Sequence, residues 1–470
     1  MQLVRNGLLL LILLVYLCFS TQSYFWDGVL FSYNIEQVRA GALDVAVLVQ
    51  PNHLFYSVFG YLVYAAFAGL RFHARAITLL QVCNSFASVV VGWLLFRWVQ
   101  EQTKNLKPAI FGLLLFAFGA SWWKYSTDAD AYIIAGGLVL LAVLFALKQR
   151  PALVAAAACH VAGMLLHELA VFAYAPVLMT IWLTQKPLKT RLRSMGLYVA
   201  ITALAVAVVY YICYQNAAAR YASFTHWITS YASDTTITRG PLQLLTEYPV
   251  SCGKLFAGGK LGAIRDQFSL WTLLGLVVCA LGLGTCLLAA RKPSPLPIPR
   301  LDARTRIVLW AWIVPLAVFL AWFDPGNAAH KLFLWPPIVM LIATAAWTQR
   351  RAVAMIALTV ALTGWNFAAY VYPRSRVDGD PLVAFAYRLA NELPRNATVY
   401  YAAFSPDDWY LAYFAPKTKW RPLPVTTDSS PSCYESTALS ALHPPLAALG
   451  KTWALTTKGR NVRVGCMATP

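Results

Sequence analysis

Apolar runs separated by short polar joints make up most of this chain. The first occupies residues 8–19, and ten more follow at 76–96, 108–122, 132–147, 152–166, 169–185, 195–214, 269–290, 307–322, 333–348 and 352–371. Several fall short of the ~20 residues that cross a bilayer at 1.5 Å per residue. Their number and spacing nevertheless predict an all-α polytopic membrane protein with about 11 transmembrane helices. Residues 54–70 form a further apolar run carrying Tyr56, Tyr61 and Tyr64. Counted as a crossing, it would invert every later loop, so it reads as a juxtamembrane or re-entrant helix in the first outer loop.

Charge fixes the orientation. The clusters Arg97/Lys104/Lys107, Lys148/Arg150, Lys186–Arg193, Arg291–Arg306 and Arg350/Arg351 all fall on one side when two spans separate each pair. Under the positive-inside rule that side is the cytoplasm, with the N-terminus inside and the C-terminus outside. The net charge of +19, with 59% hydrophobic residues, is thus a topogenic signal and not a nucleic-acid footprint. No small-x-small cleavage site follows residues 8–19, which favours an uncleaved first span over a signal peptide. We divide the chain into a membrane domain, 1–372, and an extracytoplasmic C-terminal domain, 373–470. The membrane domain comprises a catalytic core of about 1–215 and a variable bundle of 216–372. The C-terminal domain reads as small and mixed α/β, because DPLVAFAYRLANELP has helical periodicity and NATVYYAAF reads as a strand. The Pro-rich, cationic stretch 291–306 is a semi-extended connector.

The nine cysteines show no C-x-x-C or Cys/His metal spacing. Six lie in apolar runs as packing residues, and Cys433 and Cys466 are candidates for a disulfide in the outer domain. The sequon at Asn396 has meaning only in a eukaryotic secretory setting.

Chemistry-bearing residues gather on the outer side. Asp27 ends the first span at the membrane boundary, where desolvation raises a carboxyl pKa and suits it to proton abstraction or cation binding. The plainer alternative is that it solvates the loop. Glu36, nine residues beyond Asp27, and Asp44, eight beyond Glu36, share no helix face with it at close range and read as surface acids. Asp128 and Asp130 in KYSTDADAY form a second acidic loop on the same side. They suit metal coordination or a base-and-orienter pair if the loop makes them converge. His167 and Glu168 occupy a sharp turn, where a mutually paired His and Glu facing the bundle is expected, structural or else touching acceptor or metal. A phosphate-bearing ligand would need outer-side cations. Arg71, Arg75, Lys124, Arg220, Arg239, Lys254, Lys260, Arg265 and Lys331 supply them, with His330 and Lys331 at the start of a span favoured. Phospholipid headgroups would explain such cations equally well.

This pattern resembles the GT-C superfamily of polyprenyl-phosphate-sugar-dependent glycosyltransferases, which includes protein O-mannosyltransferases and the aminoarabinose transferase of lipid A. The resemblance rests on Asp27 in FWDG after the first span, on QPNHLFY at residues 50–56, and on the acidic STDADAY loop. It implies sugar transfer from a polyprenyl-phosphate donor to an acceptor hydroxyl of a lipid, glycan or protein at the outer membrane face. Asp27 would be the base or a metal-associated acid, with Asp128 or Asp130 in support, and His53, Arg71, Arg75, His167, Glu168, His330 and Lys331 would bind substrate. A divalent cation, Mg or Mn, would fall to Asp27, Asp128 or Asp130. QPNHLFY departs from the family's His-Pro-Pro start. The expected setting is a bacterial inner membrane with its lipids. The alternative is a transporter or flippase of a lipid-linked or polar substrate with His167 and Glu168 as ion-coupling groups; a noncatalytic assembly factor, for which Asp27 would be dispensable, is a third reading.

Overall fold

A computed structural model describes residues 2–148, 150–217, 221–230, 241–290, 301–345, 348–394, 397–423, 432–442, 449–457 and 460–467. Arg220, Arg239, the sequon Asn396 and connector residues 291–300 lie outside the described residues. Each of the eleven apolar runs contains helix. The first is α1 (Gln2–Cys18), followed by α2 (Trp26–Arg39), α3 (Tyr56–Gly69), α4 (Ala76–Thr103), α5 (Leu106–Phe118), α6 (Ala120–Ser126) and α7 (Tyr132–Leu147). Then come α8 (Leu153–Leu166), α9 (Tyr174–Thr184), α10 (Leu188–Ala217), α11 (Phe224–Thr229), α12 (Pro241–Phe256), α13 (Leu261–Asp266) and α14 (Leu270–Ala290). The bundle closes with α15 (Ala303–Phe323), α16 (Trp335–Ala343), α17 (Gln349–Asn366) and a short α18 (Tyr372–Arg374).

Among the described residues five helical segments are long and apolar enough to cross a membrane, six if the bent pair α5–α6 is one span. Six more apolar helical segments are shorter, α1, α3, α7 and α8 among them. The pair α5–α6 bends by 65° at Gly119. That bend turns α6 and the following 127–131 loop in towards α2 and α4, where the polar residues collect.

The C-terminal part is a mixed unit. It contains α19 (Pro381–Glu392), β1 (Thr398–Tyr401), α20 (Pro406–Phe414), β2 (Lys419–Pro422), β3 (Ser432–Glu435), α21 (Ser436–Leu442), β4 (Leu449–Thr457) and β5 (Arg460–Met467). The strands form one sheet in the order β2-β1-β3-β5-β4, with β2 and β3 parallel to β1 and the β3–β5 and β4–β5 pairs antiparallel. Cys433 and Cys466 are register partners on β3 and β5 and are joined by a disulfide, as expected. Helices α19 and α20 bury Leu382, Phe385, Leu389, Tyr410 and Phe414 in the same hydrophobic cluster as Val29, Phe31 and Ile35 of α2. Burying apolar area is the main favourable term in folding, about 25 cal/mol per Å². A shared cluster therefore fixes α2 between the bundle and the C-terminal sheet. A charged latch reinforces it. Arg75 donates from Nε to Glu36 Oε1 at 2.9 Å and from a terminal nitrogen to the Tyr413 carbonyl at 2.8 Å, while Tyr413 Oη donates to Glu36 Oε1 at 2.8 Å. The Ala76 N–H also donates to Glu36 Oε1 at 2.8 Å, so this carboxylate satisfies the first turn of α4. Glu36 is thus a junction residue, correcting its reading as a solvated surface acid.

Candidate active site

The sequence motif WDG opens α2, and its glycine explains how the two acidic stretches meet. A Cβ built on Gly28 would lie 2.5 Å from the Ala129 carbonyl oxygen. Only glycine lets α2 lie this close to the 127–131 loop. Consequently the Phe25 N–H, at the N-terminus of α2, donates to Asp128 Oδ2 at 2.9 Å. A carboxylate there is favoured by the helix dipole and by the unsatisfied amides of the first turn.

The loop is held from the other side by a polar stripe on α4. Gln81, Asn84, Ser85 and Ser88 follow the i, i+3, i+4, i+7 spacing of one helix face, and all four are buried. Gln81 Nε2 donates to the carbonyls of Thr21 at 2.7 Å and Thr127 at 2.8 Å. Asn84 Nδ2 donates to the carbonyls of Asp128 and Asp130, both at 2.7 Å. Ser85 Oγ donates to the Ser126 carbonyl at 3.0 Å, and Ser88 Oγ accepts the Trp122 indole N–H at 2.8 Å. A buried carbonyl left without a donor costs about 1–3 kcal/mol, so this stripe fixes the loop backbone.

Each acid then has a distinct environment. Asp128 is fully buried and forms an ion pair with Lys124, four residues earlier on α6, and also accepts the Ala129 N–H at 2.8 Å. The Lys124 ammonium lies 4.0 Å from the Tyr125 ring centroid. Asp130 is also fully buried; its Oδ1 accepts the Ala131 N–H at 2.6 Å, and its Oδ2 meets no hydrogen-bond partner among the described residues. Burial, with the carboxylates of Asp27 and Asp128 nearby, holds Asp130 well above the usual carboxylate range. Asp27 keeps 22% of its side-chain area open. Desolvation, helped by the Asp128 charge, pushes its carboxyl up to about 7. Of the three acids, Asp27 is the one with access to a ligand.

Histidines line the other side of Asp27. His53 Nε2 is 3.8 Å from Asp27 Oδ2, too far for a hydrogen bond. Burial lowers His53 to about 4, so the ring is neutral at pH 7 and the pair is not an ion pair. His53 Nδ1 lies 3.2 Å from the Leu166 carbonyl, which anchors the ring. The His167 ring centroid is 4.7 Å from that of His53, 4.5 Å from Tyr132 and 6.3 Å from His330. Burial and the two flanking histidines hold His167 well below its usual range, and its Nε2 is buried without a hydrogen-bond partner among the described residues. His330 Nδ1 lies 3.2 Å from Asp324 Oδ2.

The structure therefore gathers Asp27, Asp128, Asp130, His53, His167 and His330 into one site, with Tyr132 among them. It does not bring Arg71 or Arg75 to the acids. Arg71 is exposed at the tip between α3 and α4 with φ at 61°, and Arg75 serves the Glu36 latch. The expected His167–Glu168 pairing is replaced by ring contacts, with His167 Nδ1 instead accepting the Leu169 N–H at 3.1 Å and capping the 168–173 turn. Glu168 is half-buried in that turn. Lys331 is fully buried, and its ammonium donates to the carbonyls of Asp324, Pro325 and Asn327 at 3.2, 2.9 and 3.0 Å. These three bonds tie down the 324–327 loop that presents His330. Lys331 is thus a loop anchor, a different place from the open phosphate-binding cation expected. Sequence reasoning missed the Gln81–Ser88 stripe, Gly28, and Lys124 as the partner of Asp128; only the stripe had a legible signal, four polar residues at helical spacing in an apolar helix.

The donor set does not suit a divalent cation. Among the described residues no three His, Cys, Asp or Glu side chains converge as metal ligands. The Asp128 carboxylate already meets an ammonium and two N–H groups, and the nearest imidazole faces Asp27 from 3.8 Å.

No family model matches the chain, and no curated protein matches it by sequence. Solved structures do. ArnT from Cupriavidus metallidurans bound to undecaprenyl phosphate aligns with a TM-score of 0.58 at 13% identity, covering 98% of this chain and 97% of that one. The apo state of ArnT gives a TM-score of 0.51 at 13% identity over 99% and 97% of the two chains. This chain has the GT-C fold. The likeness bears out a mostly helical fold with several apolar helices and a small C-terminal sheet, and the near-complete coverage extends it beyond the 1–215 region that the sequence motifs spanned.

Proposed function

We propose that the protein is an integral-membrane glycosyltransferase that moves a sugar from a polyprenyl-phosphate donor to an acceptor hydroxyl, with Asp27 as general base. The observation that carries this reading is the partly open Asp27, its carboxyl raised to about 7, set against two fully buried acids on a GT-C fold. A base with a pKa near the working pH combines enough ionised form with enough proton affinity. The acceptor oxygen attacks the anomeric carbon, the bond from that carbon to the phosphate oxygen breaks, and polyprenyl phosphate leaves. Asp27 takes the acceptor proton. Phosphate leaves without strong acid assistance, so the His167 and His330 rings need only donate hydrogen bonds to it. Asp128, paired with Lys124 and accepting the Phe25 N–H, orients the Asp27 end of α2, and its negative charge helps keep the proton affinity of Asp27 high.

A polyprenyl donor is favoured by the bound undecaprenyl phosphate of the ArnT structure. Eleven spans with a cytoplasmic N-terminus, a membrane domain 1–372 and an outer domain 373–470 in a bacterial inner membrane complete the proposal. The test is transfer from a radiolabelled polyprenyl-phosphate sugar in membranes, with wild type, Asp27→Asn and Asp128→Asn side by side. Loss of transfer in Asp27→Asn at unchanged protein level is expected; full transfer by both variants would sink the mechanism.

A further inference from the structure

The segment between α2 and α3 runs back along the face of α2 that carries Asp27. Asp27 and Asn34 are seven residues apart, which puts them on one helix face about 10 Å from each other. The Asn34 amide nitrogen is 3.5 Å from the Val47 carbonyl, and His53 Nε2 is 3.8 Å from Asp27. Residues 47–53 therefore lie antiparallel to residues 27–34. Tyr210 of α10 holds them there, its hydroxyl donating to the Pro51 carbonyl at 2.7 Å. At the Asn34 end a cleft of about 390 Å³ stays open between α2, this segment and Tyr221, which precedes α11. Three carboxamides line it, those of Asn34, Gln50 and Asn52, beside the Tyr221 phenol and the apolar Val47 and Pro51. None of the residues lining it carries a charge. At 3.5 Å the Asn34 amide makes at most a long hydrogen bond, which leaves it capacity for a ligand.

We propose that this cleft binds a neutral sugar unit of the acceptor, a reading that rests on the transferase function. The volume lies in the range of about 300–1,000 Å³ usual for ligand pockets. Each carboxamide offers two donors and an acceptor, which match the paired donor and acceptor character of sugar hydroxyls. The Tyr221 ring supplies the flat apolar face that a pyranose presents in return. A carboxylate or phosphate would lose its hydration in the cleft and gain no cation from the lining residues, which selects against charged sugars. Position gives the cleft its role. A sugar seated at Asn34 directs the next unit of the acceptor along the α2 face to Asp27, where its hydroxyl meets the base. Holding the acceptor by a non-reacting unit turns its attack into an effectively intramolecular step.

Direct binding tests the cleft. Purified full-length protein in neutral-lipid nanodiscs is titrated with a mannose disaccharide and with its mannuronate-terminated counterpart, both carrying the same uncharged fluorophore. Wild type is expected to bind the neutral sugar tighter by about tenfold or more. Asn34→Ala and Gln50→Ala should each weaken it by about five- to tenfold, the worth of one lost hydrogen bond. Asn52→Lys, at a half-buried position, should shift the preference towards the uronate. Equal affinity for the two sugars in wild type, or preference for the uronate, overturns the proposal. So does wild-type binding by both alanine variants, or an unshifted preference in Asn52→Lys. Titrating Asp27→Asn as well separates the two readings, because binding needs no turnover. Absent binding beside Asp27-dependent transfer removes the cleft alone, whereas binding beside transfer that survives Asp27→Asn removes the base and with it the acceptor role.

Discussion

Gly28→Ala is the sharpest probe of how α2 meets the acid loop. The new methyl would sit 2.5 Å from the Ala129 carbonyl oxygen and 3.0 Å from its carbon, with the Ala129 Cβ at 3.3 Å. Two of the three are backbone atoms, which have no rotamer to escape into. Relaxing the closest contact to about 3.4 Å requires α2 and the loop to separate by roughly 0.9 Å, and overpacking of this kind costs about 1–3 kcal/mol. That shift acts on the Phe25 N–H to Asp128 bond and on the distance from Asp27 to its neighbours. A misplacement of about 1 Å at a reacting group can cost ~10²-fold in rate. Local helix stability pulls the other way, since Gly to Ala in a helix gains up to about 1 kcal/mol. The assay is transfer from a labelled polyprenyl-phosphate sugar, as kcat/KM, beside thermal unfolding in detergent. Gly7→Ala serves as control, because a Cβ there meets nothing within 4 Å. We expect a transfer loss of ~30- to 100-fold in Gly28→Ala and none in the control. Wild-type transfer by a stably folded Gly28→Ala protein would refute the close-approach argument.

Three further outcomes follow from the geometry. With Asp27 titrating at about 7, transfer should climb tenfold per pH unit below that value and level off above it; a flat profile between pH 5.5 and 7 would exclude Asp27 as the base, and Asp27→Asn should lower the plateau by about 10²–10⁴. Asn84→Leu strips donors from the Asp128 and Asp130 carbonyls and should destabilise the protein by roughly 2–6 kcal/mol on the per-carbonyl cost, read as a lowered unfolding midpoint; an unshifted midpoint counts against the stripe as the loop's anchor. Asp408, buried beside Glu435, is raised from 3.8 to about 7, so the folded chain holds a proton there that the unfolded chain has released. Stability contributed by that proton is full below pH 3.8 and lost as pH rises through 7; Asp408→Asn should shrink the fall in thermal midpoint between pH 5 and 8, and an identical fall in the variant would contradict the assignment.

Legibility differed by kind of signal. Apolar runs separated by charged joints gave away the bundle, because a helix in hydrocarbon satisfies its own backbone bonds and needs only composition to be recognised. The C-terminal unit was readable from the amphipathic pattern of α19 and from the β-prone residues of β1, and the Cys433–Cys466 bridge from compartment and pairing. What no local pattern revealed was the sharing of one hydrophobic cluster between α2 and that unit, for the contacts join residues 29–35 to 382–414. Glu36 was misread for the same reason. Its partners are Arg75, Ala76 and Tyr413, up to 377 positions away, and a carboxylate's role follows from its partners.

In the site, the residue types announced the chemistry but not its division of labour. Asp27, Asp128 and Asp130 stood out as acids in an acid-poor chain, yet three carboxylates in one place cannot share one role. Lys124 separates them. Its ammonium pairs with Asp128 and binds that carboxylate in place, away from ligand; Asp130, fully buried beside the Asp27 and Asp128 carboxylates, is held towards its neutral form. Asp27 alone combines exposure with a pKa in the working range, and the histidine nearest it is neutral, so nothing cationic depresses that value. The same reasoning removes Lys331 from the ligand. Three carbonyls hold its ammonium beneath the 324–327 loop, so its contribution to any phosphate is indirect, through the position of His330. Replacing it by methionine, of similar length but without donors, should therefore lower transfer by raising KM and leave the pH profile of Asp27 unmoved, whereas a shifted profile would mean that the ammonium's charge reaches the base.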